Sequence, residues 1–273
     1  GCTSASTTPA PNAPSNTTGT TVTADPAEAA AVDEVVQDAM KARHLRAAIV
    51  RVTVDGKEII TKAYGESMTG VPATVDMHFR NGAVAISYVS TLLLVLVDEK
   101  KVRLEDKAAT WVPEIPHSDE VTLGQLAQMT TGYTDYVIGN EQFGAMLYTD
   151  PFRQWTPEEL LKTVTSKPLL YAPGTNWNYA HTNYLILGLA LERATGTKMS
   201  DLIQEKVLGP LGLANTTDPG PGAPAIPEPA LHAFTSERRA QLGIPADTPF
   251  YEESTYWNPS WTITRGAIQT SNI

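Results

Sequence analysis

Phe79-Arg80-Asn81-Gly82-Ala83-Val84-Ala85-Ile86 is the stretch on which the reading of this chain turns. From Ala83 the sequence stays hydrophobic nearly all round until Asp98, so residues 83–100 predict a helix that is buried rather than one with a wet face. Its apolar run, Leu92-Leu93-Leu94-Val95-Leu96-Val97, is far short of the ~20 residues needed to cross a bilayer. The opening turn carries no reactive group: Ala83 ends in a methyl and Ile86 in a sec-butyl group. Ser87 lies four residues after Ala83 on the same face and Ser90 one turn further, with no Lys, His, Asp or Glu within a turn N-terminal of either. Hydroxyls placed in this way bond back to the carbonyls of the preceding turn.

Working toward the N-terminus, Ala47–Val54 and Lys57–Tyr64 are two β-rich runs separated by Asp55-Gly56, a strong hairpin signal. Gly65 to Val75 reads as loop. Asp25-Pro26-Ala27-Glu28 combines a capping residue, a first-turn proline and an acid three positions on. Val32, Val35, Val36 and Met40 follow at helical spacing, so residues 26–44 predict an amphipathic helix. Thr3 to Ala24 is almost wholly Ser, Thr, Pro, Ala, Asn and Gly. Such a segment buries too little to offset its ordering entropy and is expected to be a disordered tether.

The single cysteine, Cys2, excludes an intramolecular disulfide and a thiolate metal cluster. Gly1-Cys2 ahead of a flexible tether fits the end of a lipobox, where the cysteine receives lipid; an unmodified exposed thiol is the alternative. Residues 1–24 are therefore expected to be a lipoprotein-type N-terminus and tether. The protein would then sit on the outer face of the membrane in the cell envelope.

Toward the C-terminus, Val121–Met129 predicts a short helix broken by Gly132. Thr156-Pro157-Glu158-Glu159 starts another, and Leu185–Ala194 and Met199–Val207 are two more around Thr195-Gly196-Thr197. Beyond Asp218 the prolines at 219, 221, 224, 227 and 229 exclude regular structure. Phe250, Tyr251, Tyr256, Trp257 and Trp261 form an aromatic patch expected to pin this long loop to the domain, with stacking against a ligand as the alternative.

At 273 residues with 42% hydrophobic and 18% charged side chains, the chain buries a real core. Its formal charge of −10, with no basic stripe to offset it, argues against nucleic-acid binding. His44, His78, His117, His181 and His232 show no metal-ligand spacing, so neither a metal nor a cofactor is expected.

Six stretches in order resemble the serine β-lactamase and DD-peptidase superfamily, nearest its class C and esterase-like branch. They are Val54–Lys57 with Ala63-Tyr64-Gly65; Phe79-Arg80-x-Gly82; Leu96–Asp106; Met129-Thr130-Thr131-Gly132-Tyr133; Tyr171-Ala172-Pro173-Gly174 with Tyr179–Tyr184; and Gly209–Leu213. The resemblance implies a mixed α/β (α+β) fold over residues 25–273. An antiparallel sheet containing the hairpin would be flanked by helices, with a mainly helical region at about 80–215. The family's helix opens with Ser-x-x-Lys, the serine acylated and the lysine moving its proton; here those positions are Ala83 and Ile86. Tyr179 matches the tyrosine of the family's Tyr-x-Asn motif, and His181 replaces its asparagine. Tyr179, His181 and Asn183 are the residues expected to meet a ligand.

The third motif, Lys- or His-Thr/Ser-Gly, is not found downstream of His181, and Trp261–Ile273 resembles a stretch that precedes it. The last strands are thus expected to be missing. The resemblance without its reactive pair implies a catalytically inactive relative that binds a cell-wall peptide or small molecule. The alternative is a divergent hydrolase of an ester, β-lactam or peptidoglycan peptide that uses Tyr179 and His181.

Overall fold

Asp55 and Gly56 both take left-handed backbone angles, φ 49° and 74°, the pair a two-residue hairpin turn requires. The computed structural model describes residues 21–22, 25–220, 223–262 and 269–270. Its first elements are β1 (Thr21–Val22), α1 (Pro26–Arg43), β2 (Ala47–Val54), β3 (Lys57–Met68) and β4 (Val71–Pro72). They form an antiparallel sheet in the order β1-β3-β2, with β4 paired to the end of β3. Two expectations change here. Thr21–Val22, assigned to the tether, pairs with Thr61 and Ile60. The segment after Tyr64, read as loop, continues as strand to Met68. Gly65 allows this continuation: at φ 73° its missing Cβ would stand 2.0 Å from the Arg46 carbonyl oxygen, so no side chain fits. Cys2 and the other residues up to Thr20 lie outside the described residues.

The Asp25 carboxylate caps α1 by accepting from the Ala27 and Glu28 amides at 3.0 and 3.3 Å. Its covered stripe is narrower than the valine spacing predicts. Ala29 is buried and Val32 packs beside it against Ile59 and Ile60, whereas Val35 is 68% exposed. The stripe also holds Asp33, which accepts from Lys62 Nζ at 2.6 Å and from the Tyr64 hydroxyl at 2.8 Å.

The described residues divide into two compact units, one up to Val75 and one from Asp76. The second unit opens with β5 (Phe79–Arg80), a 3₁₀ turn at Gly82–Val84, and α2 (Ala85–Asp98). The buried helix therefore starts two residues later than the hydrophobic run. Then come α3 (Leu123–Gln128), α4 (Glu141–Thr149), α5 (Pro157–Lys162), α6 (His181–Thr195) and α7 (Met199–Ile203), which runs into a π-helical turn at Gln204–Leu208. Among the described residues past 218 only short pieces are regular. β6 (Phe234–Thr235) pairs with β7 (Glu252–Glu253), and β5 pairs with β8 (Gln269–Thr270).

Local chemistry places several of these ends. Thr122 with Gln125 and Thr156 with Glu159 form reciprocal capping boxes on α3 and α5. α3 stops at Met129, left-handed at φ 57°, one turn before the predicted break at Gly132. The core lies between α2 and α6. Val89, Leu92, Leu93 and Leu96 of α2 are buried, and every residue of α6 from Thr182 to Leu191 is buried. Each fully buried large aliphatic side chain on these two helices contributes about 1.5–3 kcal/mol, and α3, α4, α5 and α7 add further buried side chains to the same core.

Candidate functional site

The 3₁₀ turn leaves Ala83 exposed, while Ile86, in the first turn of α2, packs against the core. The neighbouring hydroxyls are engaged locally as their position predicts. Ser87 Oγ donates to the Val84 carbonyl at 2.7 Å and Ser90 Oγ to the Ile86 carbonyl at 2.6 Å. Ser90 Oγ also lies 3.3 Å from the Tyr184 hydroxyl. Just before the turn, both polar atoms of the Asn81 amide are buried without a hydrogen-bond partner.

Tyr179 and His181 are brought in by a second strand-like passage. Gly132, at φ 92°, lets residues 129–132 run against 170–178. Its absent Cβ would stand 2.6 Å from the Tyr171 carbonyl oxygen. The Leu170 amide donates to the Gly132 carbonyl at 2.8 Å, Gly174 to Thr130 at 2.8 Å, and Asn178 to Met129 at 3.1 Å.

The centre of the arrangement is Asp135, which the sequence reading did not single out. Its carboxylate is 5% exposed and gathers four N–H groups. Oδ1 accepts from the Val137 amide at 3.1 Å and the His181 amide at 3.1 Å; Oδ2 accepts from the Ile138 amide at 3.2 Å. His181 Nδ1 lies 3.0 Å from Oδ2 and 3.2 Å from Oδ1. An ionised carboxylate only accepts, so Nδ1 carries a proton and Nε2 faces away from the pair. Because Ala180 precedes α6 and has no side chain that can cap it, Asp135 does so from a loop 46 residues upstream. The Thr182 hydroxyl adds a 2.7 Å bond to the Thr134 carbonyl.

The Tyr179 ring meets His181 edge-on at 5.5 Å, and Tyr136 flanks the same imidazole at 5.7 Å. Burial raises the Tyr179 phenol above its ordinary range, and the Asp135 charge adds to the shift, so the hydroxyl keeps its proton. Asn183, expected to meet a ligand, is 1% exposed; its Oδ1 accepts from the Thr131 hydroxyl and its Nδ2 donates to the Ala180 carbonyl at 3.3 Å, so it ties the first turn of α6 to the segment at Thr131.

The aromatic patch behaves in part as expected. Trp261 packs 6.5 Å from Phe143 and its carbonyl accepts from the Tyr136 hydroxyl at 2.8 Å. Phe250 lies under Arg239, while Tyr251 and Tyr256 are exposed.

This fold is a mixed α/β scaffold with antiparallel strands and a large helical unit, in which Tyr179 and His181 meet beside Asp135 and α2 is led in by Ala83. The family model described as beta-lactamase matches residues 32–255, and the chain belongs to that family. It is 28% identical over 197 residues to esterase EstB of Burkholderia gladioli, covering 68% of this chain and 50% of that protein. It is also 28% identical over 173 residues to the D-alanyl-D-alanine-carboxypeptidase/endopeptidase AmpH of Escherichia coli K12, covering 61% of this chain and 44% of that protein. The chain thus spans about half the length of these curated relatives. Among solved structures, a D-stereospecific amidohydrolase from Streptomyces sp. superposes with a TM-score of 0.76 at 24% identity, over 89% of this chain and 69% of that one.

Proposed function

We propose that this chain is a non-hydrolysing member of its serine-hydrolase family that binds a cell-wall peptide or similar small molecule where its relatives carry out acyl transfer. The observation that carries the proposal is the opening of α2. Ala83 offers a methyl where acylation needs an oxygen, and Ile86 fills its place with hydrocarbon seated on the core. Ser87 donates to a main-chain carbonyl, and no base stands beside it. Tyr179 has lost the lysine that would favour its phenolate and instead faces the negative charge of Asp135. A cleft can bind without reacting.

A second reading is a divergent hydrolase. It rests on His181, whose Nδ1 is held by Asp135 so that Nε2 is the basic nitrogen. The two readings separate on incubation with a chromogenic cephalosporin and a p-nitrophenyl ester, followed by intact mass measurement. The non-hydrolysing reading expects neither turnover nor an acyl adduct, with activity appearing only when Ala83→Ser and Ile86→Lys are installed together in the full-length protein. Turnover that disappears in Tyr179→Phe or His181→Ala would overturn it.

Attachment to the outer face of the membrane through lipid on Cys2 is part of the proposal, supported by Gly1-Cys2 and the uncharged segment behind it. Incorporation of labelled fatty acid that persists in Cys2→Ser would refute it.

A further inference from the structure

The segment after Asp218 encloses, with α4, a cavity of about 380 Å³, within the ~300–1,000 Å³ range of small-molecule sites. Phe143 and Leu147 of α4 and Trp257 and Trp261 of the late loop give it an apolar wall, and Arg80 and Glu237 also line it. Ala83, Tyr179 and His181 are not among its lining residues.

Two donors at this wall are buried and unmet: Arg80 Nη1 and the Trp257 indole nitrogen have no hydrogen-bond partner. The rest of the guanidinium is anchored. Nε donates to the Thr255 carbonyl at 3.4 Å and Nη2 to the Pro224 carbonyl, which leaves Nη1 as the unused edge of a fixed cation. Buried donors left without acceptors are rare and costly, and each asks for an explanation. A carboxylate supplies two acceptor oxygens and one negative charge, and a guanidinium binds it more strongly than a neutral acceptor. Burial raises the Tyr148 phenol, and the charge and hydrogen bond of Glu237 on the same wall add to it; that carboxylate opposes a doubly charged phosphate.

We propose that this cavity binds a small monocarboxylate with an aromatic or branched apolar body. Arg80 and Trp257 take the carboxylate, and Phe143, Leu147 and Trp261 enclose the body. The inference goes beyond muropeptide binding at the Ala83 face and is independent of it.

The test is calorimetric titration of the full chain with 3-phenylpropionate and with its neutral amide, 3-phenylpropanamide, repeated on two variants. Arg80→Gln removes the cation. Gly144→Leu fills the cavity: Gly144 lines it, an added Cβ there meets nothing within 4 Å, and leucine favours a helix over glycine, so this variant keeps its fold. The acid is expected to bind about tenfold or more tightly than the amide, and both variants are expected to lose about tenfold or more in affinity for the acid. Should Arg80→Gln unfold, Gly144→Leu decides alone. No heat with the acid, equal affinity for acid and amide, or wild-type affinity in Gly144→Leu would each overturn the proposal.

Discussion

Replacing Asp135 by alanine tests whether this carboxylate is the anchor of the whole site region. In the native structure it accepts from three main-chain amides and one imidazole nitrogen, at 3.0 to 3.2 Å, in a setting that is 5% exposed. Alanine leaves all four donors unmet. Each buried unsatisfied donor costs about 1–3 kcal/mol, but they share one site and water can enter it, so the sum is not additive. Four unmet donors at about 1–3 kcal/mol each, discounted for the shared site and for entering water, give an expected loss of about 3–5 kcal/mol. With an m-value of about 3 kcal/mol/M, the urea midpoint falls by about 1–2 M. The midpoint is read by far-UV circular dichroism and tryptophan fluorescence together. Asp135→Asn is expected to fall between. It keeps one acceptor oxygen for the Val137 and His181 amides but turns an NH₂ toward the Ile138 amide. His181→Ala is expected to cost less, because the three main-chain bonds remain. A midpoint shift below about 0.3 M in Asp135→Ala, under 1 kcal/mol at that m-value, would refute the anchor reasoning. So would a His181→Ala variant less stable than Asp135→Ala.

Two further predictions follow from buried polar groups. Asn81 buries both polar atoms of its amide without partners, so Asn81→Leu is expected to raise stability by about 1–2 kcal/mol in urea melts. A loss of stability would mean that the amide has a partner in solution. At Asp218, burial raises the carboxyl pKa to about 6, opposed by the 3.0 Å bond from the Gly220 amide. The folded state therefore binds more protons than the unfolded one between about pH 4 and pH 6. Stability falls as pH rises through that window, and the loss, about 3 kcal/mol, is complete above it. Asp218→Asn keeps the acceptor and removes the charge, so it is expected to equal the native chain near pH 4 and exceed it at pH 7. Parallel stability profiles for the two proteins across that range would refute the assignment.

What could be read in advance was what short-range chemistry decides. The Asp55-Gly56 turn, the Asp25, Thr122 and Thr156 caps, and the apolar run of α2 each announce themselves within a few residues. The family pattern likewise lies in local motifs. The missing features are pairings over distance. Asp135 sits 46 positions before His181, and nothing in Thr134-Asp135-Tyr136 distinguishes it from a surface acid until the fold closes. The Thr21–Val22 strand exists only because β3 offers an edge. The burial of Asn183 was equally out of view, because it follows from the run Thr182 to Leu191 taking that turn into the core. α4 went unread as well, although Asn140 caps it by accepting from the Phe143 amide.

The seating of Ile86 bears on the direction in which this lineage can travel. Its side chain lies against hydrocarbon, and the Ser87 and Ser90 hydroxyls are tied to main-chain carbonyls. A mutation that restored lysine there before serine returned at 83 would bring an ammonium group against apolar neighbours, at a cost of several kcal/mol. Serine first would lack a base and confer nothing to select. Each single step back is therefore neutral or harmful, and only the pair is useful. If the chain is non-hydrolysing, as proposed, the isoleucine acts as a ratchet: its descendants are free to elaborate binding but have no gradual road back to acyl transfer.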